Sequence, residues 1–435
     1  MTPGELALCI VKNLEDSGIE VVYLRNHEDL PKTVGNDVDL LLHRGDSGKA
    51  LKEITETVRR HQWSVLRHVC FSPVSIFLAS DDFTQFLHID LFERLEWHCL
   101  EYADARRFIS GRIWNGKVHP PAPDDEVFLN VCTRLIYQGS IRDKHRSQVK
   151  KLIDQDLHEN LRAAFIRHLG CGLGSALGDA VIREDWPAAE SFKTALRRKV
   201  IVRYGLLFPR SALTGIWRYL TRSLQRIVSP PGPFVVFEGA DGVGKSTVIE
   251  GLIPLFKDLT GRTDTLLFHW KPTHASIRQA GEDAGPASDP RGKALRSIPL
   301  SVIFLVYHWL GFWRGYLHYI WFARIKNRAI LADRYAYEFF LDPSRLRMNL
   351  PEWVARLAAA TVPQPDLVIC LLAAPEKIIV RKPELTVEEI NHYQNKLQGM
   401  AASHQKCLAL HAEGNANEVL AKARTLLSQK LFENR

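Results

Sequence analysis

Phe234-Val-Val-Phe-Glu238-Gly239-Ala240-Asp241-Gly242-Val243-Gly244-Lys245-Ser246-Thr247 is the stretch whose reading decides the fold of the second half of this chain. Phe234–Glu238 is short, apolar and β-branched, the pattern of a buried strand. Gly239–Ser246 then matches G-x-x-x-x-G-K-[ST] in full, and an amphipathic helix follows over Ser246–Leu259. Strand, glycine-rich loop and helix in that order form the setting of a phosphate-binding loop. Its glycines let the backbone curl so that successive N–H groups converge on phosphate oxygens. The helix N-terminus adds partial positive charge. Lys245 is placed to reach the β- and γ-phosphates of ATP, and the Ser246 hydroxyl to ligate Mg²⁺. The expected nucleotide-binding set is therefore Gly239, Ala240, Asp241, Gly242, Val243, Gly244, Lys245, Ser246 and Thr247.

Working outward, Leu266–Trp270, Ala329–Asp333 and Leu367–Leu372 are further strand-like runs separated by helical patterns. That alternation predicts right-handed βαβ crossovers and a parallel sheet covered on both faces, an α/β fold. Upstream, Ser229-Pro-Pro-Gly-Pro233 can neither continue a helix nor join a sheet interior. The expected organisation is an N-terminal α+β domain over 1–150, a basic helical connector over 151–230 and the P-loop domain over 231–435.

The loop in its longer form, Phe237-Glu238-Gly239-Ala-Asp241-Gly242-Val-Gly244-Lys245-Ser246-Thr247, resembles that of thymidylate kinases. Ala332-Asp333-Arg334-Tyr335 is similar to the family's D-R-Y motif. Pro365-Asp366-Leu367 is similar to its P-D-L strand start, and Leu410–Val419 to the loop and helix that pack near adenine. The resemblance spans roughly 234–430 and implies transfer of the ATP γ-phosphoryl group, with Mg²⁺, to a small-molecule acceptor. It implies a carboxylate at Asp333 that binds Mg²⁺ directly or through water, and an acceptor-phosphate ligand at Arg334. Arg381-Lys382 precedes the capping box Thr386-Val-Glu-Glu389, where the family has its lid. The loop itself carries no arginine, so Arg381, with Lys382 second, is the expected catalytic cation.

Two departures bear on the acceptor. His269-Trp-Lys271-Pro-Thr-His274 stands where the family has R-E-P-G-G-T, so Lys271 supplies charge without a bidentate fork. Gly311-Phe312 stands where the family has an Asp-Arg pair. The surrounding helix carries Tyr307, Trp309, Phe312, Trp313, Tyr316, Tyr319, Trp321 and Phe322, which read equally as an apolar acceptor pocket or as a core helix. Glu338 is a candidate to orient an acceptor hydroxyl. The segment resembles thymidylate-kinase-like proteins of bacterial surface-polysaccharide gene clusters, which implies a sugar or phosphosugar acceptor beside a nucleoside monophosphate. A genuine dTMP kinase with an inactive N-terminus, a bifunctional kinase and nucleotidyltransferase, and an ATP-binding regulatory module without efficient turnover stay open.

In the first half, Asp37-Val-Asp39 and the Asp90 of His88-Ile-Asp90 resemble the carboxylate triad of the polymerase-β-like nucleotidyltransferase fold. Alternate strand residues face one way, so Asp37 and Asp39 project together, and Asp90 would complete an all-oxygen Mg²⁺ site. Arg25-Asn26 replaces the family's Gly-Ser, which weakens the expected grip on phosphate. Gly170–Gly178 is glycine-rich but follows no strand, and reads as a helix–helix connection.

The 435 residues are 46% apolar and 24% charged, with a net charge of +8, a soluble globular profile with an anionic partner. The excess is local: Lys193–Arg226 holds nine Lys or Arg and no Asp or Glu. Trp217, Tyr219 and Leu220 interleave with these charges, which suits an interfacial helix on an anionic membrane surface or docking within the chain, with no specific nucleic-acid partner expected. Seven scattered Cys without a CxxC pair exclude a zinc ribbon or redox dithiol and fit a cytoplasmic protein, peripheral at the inner membrane face. A homodimer is compatible with these features. The N-terminus lacks a signal-peptide pattern, and Ile298–Trp313 falls about three residues short of a membrane span, so it reads as a buried or membrane-contacting helix.

Overall fold

Thr2 accepts a hydrogen bond from the Glu5 amide, and the Glu5 carboxylate accepts one from the Thr2 amide, a capping box that starts α1 (Pro3–Asp16). Leu6, Ile10 and Leu14 recur on one face of that helix and are buried, so local sequence and packing agree. The computed structural model describes residues 1–431 other than 36, 71–72, 154–157, 207–208, 275 and 280–293. It divides into two units, Met1–Gln225 and Arg226–Arg435.

In the first unit, α1 is followed by β1 (Val21–Tyr23), β2 (Val38–Leu42), α2 (Ser47–Arg60), β3 (Trp63–Cys70), β4 (Val74–Ser80) and β5 (Phe86–Phe92). These strands form a mixed sheet in the order β1-β2-β5-β4-β3, in which only β2 and β5 run parallel. Along β5, Leu87, Ile89 and Leu91 are buried while His88 and Asp90 alternate on the other face. A hairpin of β6 (Leu95–Trp97) and β7 (Leu100–Ala103) leads into a helical layer. That layer holds α3 (Ala105–Ser110), α4 (Pro123–Tyr137), α5 (Asp143–Ile153), α6 (His158–Leu169), α7 (Cys171–Ile182), α8 (Trp186–Ser191), α9 (Lys193–Val200) and α10 (Pro209–Val228). The boundary between the units falls inside α10. Of the basic segment 193–226, residues 207–208 lie outside the described residues. The glycine-rich run at 170–178 is indeed a junction between helices. Gly170 separates α6 from α7, and the two helices approach so closely that a Cβ at Gly174 would sit 2.5 Å from the Phe165 carbonyl oxygen.

The second unit runs β8 (Phe234–Glu238), α11 (Lys245–Thr260), β9 (Leu266–His269), β10 (Ile277–Gln279), α12 (Ile298–Gly315), α13 (Trp321–Ile325), β11 (Ile330–Asp333), α14 (Glu338–Leu341) and α15 (Glu352–Thr361). It ends with β12 (Leu367–Leu372), α16 (Pro375–Arg381), α17 (Val387–Ser403), β13 (Cys407–His411) and α18 (Ala416–Lys430). Its sheet has the order β10-β9-β11-β8-β12-β13, parallel except for the edge strand β10. β8 and β12 are buried at every residue, as strands covered on both faces must be. The Pro/Gly cluster before β8 is no free tether. Pro231, Gly232 and Pro233 are buried, and Arg324 donates from Nε to the Gly232 carbonyl at 3.0 Å. Arg324 also pairs with Asp366, whose other oxygen accepts the Phe234 amide at 2.8 Å. The Asp of the P-D-L segment thus ties the starts of β8 and β12 together.

The apolar run 298–313 makes up most of α12, a surface helix that is half-buried. Ser301, Leu305, His308 and Phe312 face inward, while Val302, Ile303, Val306 and Leu310 are exposed. Among the described residues no helix is long and apolar enough to cross a membrane. The close α6–α7 crossing yields a matched pair of variants. Gly174→Ala is expected to destabilise the protein by about 1–3 kcal/mol, because backbone rather than a flexible side chain must move. Gly172→Ala, in the same helix with nothing within 4 Å of its Cβ position, is expected to be neutral or stabilising by up to about 1 kcal/mol. Urea unfolding midpoints check both.

Candidate active site

β8 lies between β11 and β12, and the chain leaves it towards β9 on one side before later crossing to β12 on the other. The C-terminal end of β8 is therefore a topological switch point, the place where an open parallel sheet leaves a crevice. The loop Gly239–Gly244 leaves β8 there and enters α11 at Lys245. Gly242 and Gly244 have φ of 88° and 105°, values that a side chain tolerates poorly. A Cβ at Gly239 would meet Val243 at 2.9 Å and the Leu371 carbonyl at 3.1 Å. No side chain caps the first turn of α11, so its amides are available to an anion.

The Lys245 ammonium folds back over the loop and donates to the carbonyls of Gly239 at 2.8 Å and Ala240 at 3.0 Å. Burial, reinforced by the positive charge of Arg334, pushes its pKa down to about 8. Ser246 and Thr247 are exposed at the mouth.

Asp241 does more than shape the loop. Its carboxylate lies 2.8 Å from Arg334 Nη2, 2.9 Å from Arg345 Nη1 and 3.9 Å from Lys245 Nζ. Burial acts to raise the Asp241 pKa, but Arg334, Lys245 and Arg345 outweigh it and hold the carboxyl well below the usual range. Arg334 is 1% exposed, has a left-handed backbone, and pairs through Nη1 with Glu338 at 2.7 Å. Tyr393 donates its hydroxyl to Glu338 at 2.8 Å, which brings α17 into the cluster. Glu238, fully buried, accepts the Tyr335 amide at 2.8 Å. Burial and the nearby charge of Glu338 raise its pKa well above that of an ordinary glutamate. Arg334 and Glu338, expected at the acceptor, are here committed to this buried network. Arg345 and Tyr393 were absent from the sequence reading and carry no local signal.

A cavity of 490 Å³ opens over the loop, bounded by residues 241–248, Asp333, Arg381, Lys382, Ala412, Gly414, Ala416 and Val419. Asp333 ends β11 in register with Phe237. Its Oδ1 is buried with no hydrogen-bond partner among the described residues, a state that calls for a ligand. With the Ser246 hydroxyl on the same cavity, the donor set is oxygen only, which suits Mg²⁺. Arg381 ends α16 and reaches over Gly244, whose Cβ position lies 3.8 Å from its Nη1. Lys382 pairs with Glu384 at 2.9 Å, and the capping box Thr386–Glu389 starts α17 just beyond. The small residues Ala412, Gly414 and Ala416 also line the cavity.

On the other side of Asp333, Trp270 donates its amide to the Asp333 carbonyl at 2.9 Å. Lys271 Nζ lies 4.8 Å over the Tyr307 ring and 3.3 Å from His308 Nδ1. Burial, with Lys271 and Arg296 nearby, pushes His308 down to about 4, so the ring is neutral and can accept from Lys271. A Cβ at Gly311 would sit 3.0 Å from Lys271 Cδ; glycine there makes room for the lysine. Of the helix aromatics, Phe312 is core and Tyr307 and Phe322 are exposed.

In the first unit, Asp39 and Asp90 face each other across β2 and β5. Arg25 pairs with Asp39 through Nε and with Asp37 at 3.3 Å. Its positive form is favoured by both, while burial outweighs Arg25 at Asp39 and raises that carboxyl to about 6. Among the described residues, the three groups close enough to share a cation are Asp37, His88 and Asp90, a set that differs from the expected Asp37, Asp39 and Asp90. Arg25 takes Asp39 as its counter-ion. Ser75 also donates to Asp90 at 2.6 Å.

No family model and no curated protein matches the chain. Among solved structures, the thymidylate kinase of Ehrlichia chaffeensis aligns with 46% of this chain and 100% of its own, at 13% identity and a TM-score of 0.33.

Asp241→Asn leaves Arg334 buried beside a neutral group and is expected to lower stability by about 3–5 kcal/mol. Because the Asp241 pKa is depressed, its contribution is complete above about pH 4 and is lost as pH falls through the lower folded value. Denaturant unfolding at neutral and acid pH should show the deficit of the variant shrinking as the pH is lowered.

Proposed function

We propose that residues 231–435 form an ATP-dependent phosphotransferase that moves the γ-phosphoryl group to a nucleoside monophosphate or to a sugar or phosphosugar. One observation carries the reading. A phosphate loop, an unpartnered carboxylate oxygen on Asp333 and the Arg381 guanidinium border a single cavity of 490 Å³. In this scheme the amides of 242–247 hold the β- and γ-phosphates, and Lys245 leaves the loop carbonyls to neutralise them. Arg381 stabilises the charge that spreads over the transferred group. The bond between the γ-phosphorus and its bridging oxygen breaks, an acceptor oxygen takes the phosphoryl group, and ADP leaves. Where the acceptor is a hydroxyl, its proton is released to solvent. Ser246 and Asp333 would hold Mg²⁺, which would supply neutralisation of phosphate charge there. In this scheme the acceptor meets Lys271, a cation set against the rings of Trp270 and Tyr307.

A second reading, ATP binding without efficient turnover, draws on the commitment of Arg334 to Asp241 and Glu338, which removes one cation from the acceptor side. Incubation with labelled ATP and a panel of acceptors, including dTMP and common sugars, separates the two. Labelled product that depends on Arg381 favours transfer; tight ATP binding with no product, unchanged in Arg381→Ala, favours the second.

Lys245→Ala is expected to reduce phosphoryl transfer by about 100-fold or more while preserving the circular dichroism spectrum. Parent-like activity would remove Lys245 from the scheme. ATP affinity should also fall as pH rises through about 8, where the free protein loses the Lys245 proton that the complex retains. Calorimetry across that range in parent and Lys245→Arg protein checks the sign; only the parent should show the step.

A further inference from the structure

Helix α10 is amphipathic in the inverted sense. A surface helix ordinarily turns its apolar stripe to the core and its polar side to water. In α10 the polar side is the anchored one. Arg218 donates to Glu96 at 2.5 Å, and Arg222 lies 3.9 Å from the same carboxylate. Gly215 approaches the β6–β7 turn so closely that a Cβ there would lie 2.2 Å from the Cys99 carbonyl oxygen. Gly215, Arg218 and Arg222 recur at helical spacing and define the pinned face.

Leu213, Ile216, Trp217, Leu220 and Leu224 recur at the same spacing on the opposite face. They are 66%, 44%, 69%, 49% and 58% exposed. A continuous apolar stripe held out to solvent marks an interaction surface. The charge of the segment selects its partner. Lys193–Arg226 contains nine Lys or Arg and no Asp or Glu, and Lys193 and Arg198 project into solvent. A second copy would bring together two segments that each hold nine cations and no acid. A nucleic acid would meet Leu and Trp where it needs cations. An anionic lipid surface satisfies both features, with the stripe entering the acyl boundary and the cations meeting headgroups.

We propose that α10 is an interfacial helix that seats the protein on an anionic membrane through Leu213, Ile216, Trp217, Leu220 and Leu224. The pinning by Glu96 and Cys99 fixes the stripe outward before any lipid is met, so the surface is preformed. The helix lies in the interface and does not cross it.

The test is sedimentation of the full chain with vesicles of equal parts phosphatidylcholine and phosphatidylglycerol, against vesicles of phosphatidylcholine alone. The parent should bind the anionic vesicles at least about tenfold more tightly than the neutral ones, and more weakly at high salt. Leu220→Gln with Leu224→Gln should reduce that binding by about tenfold or more while leaving ATP binding intact. These side chains are exposed, so folding is preserved, and Trp217→Ala alone gives a milder variant with the same expected direction. The exposed side of α12 supplies the control: Ile303→Gln with Leu310→Gln should bind vesicles as the parent does. Parent-like binding by the α10 variants, equal affinity for both vesicle types, or binding lost only in the α12 variant would overturn the proposal. So would a parent that ignores vesicles but elutes as a dimer that the α10 substitutions dissociate.

Discussion

The second unit depends on a buried ion pair between the aspartate of the phosphate loop and the arginine that follows β11. Asp241 and Arg334 meet at 2.8 Å, and Arg334 is almost wholly removed from water. Desolvating a guanidinium costs several kcal/mol, which only well-placed carboxylates offset. Arg334 therefore needs both Asp241 and Glu338. Its left-handed backbone, with φ of 74°, adds about 1–2 kcal/mol of strain. The surrounding network holds that conformation in place, and it has a geometric result. The Arg334 side chain enters the network while the preceding Asp333 carboxylate stays at the cavity wall. The shape of the loop and the position of the candidate metal ligand are thereby set by one interaction.

The same network divides labour among the cations. Arg334 and Arg345 are paired with Asp241. Lys245 and Arg381 face the cavity. Lys245 rests on two loop carbonyls, and its charge is disfavoured by burial. A phosphate group that replaced those carbonyls would relieve that penalty, which makes the lysine a responsive partner for an anion. Arg381 stands at the end of α16, beside a helix start defined by its own capping box.

The first unit shows the reverse use of charge. Its acidic strand ends converge as the D-x-D pattern implies, but Arg25 sits among them and pairs with Asp37 and Asp39. Elsewhere in that unit Glu96 draws Arg218 and Arg222 inward and leaves the apolar stripe of α10 outside. In both places a side chain that reads as surface charge in the sequence is internal, and the consequence is visible only on the opposite face.

Local patterns in the sequence determined the phosphate loop, the strands β8, β9, β11 and β12 and the capping box before α17, because each rests on interactions among neighbours. β3, β10, β13 and the β6–β7 hairpin escaped that reading. They are short or polar, and their partner strands rather than their own composition hold them. The roles of Asp241, Arg334, Glu338 and Arg25 were decided by tertiary structure alone. Arg345 lies 104 residues from Asp241, and Tyr393 lies 59 from Arg334; no periodicity links such positions. Whether a charged residue meets a ligand or a buried counter-ion depends on which distant group shares its low-dielectric surroundings, and the chain creates those surroundings only when the sheet closes around them.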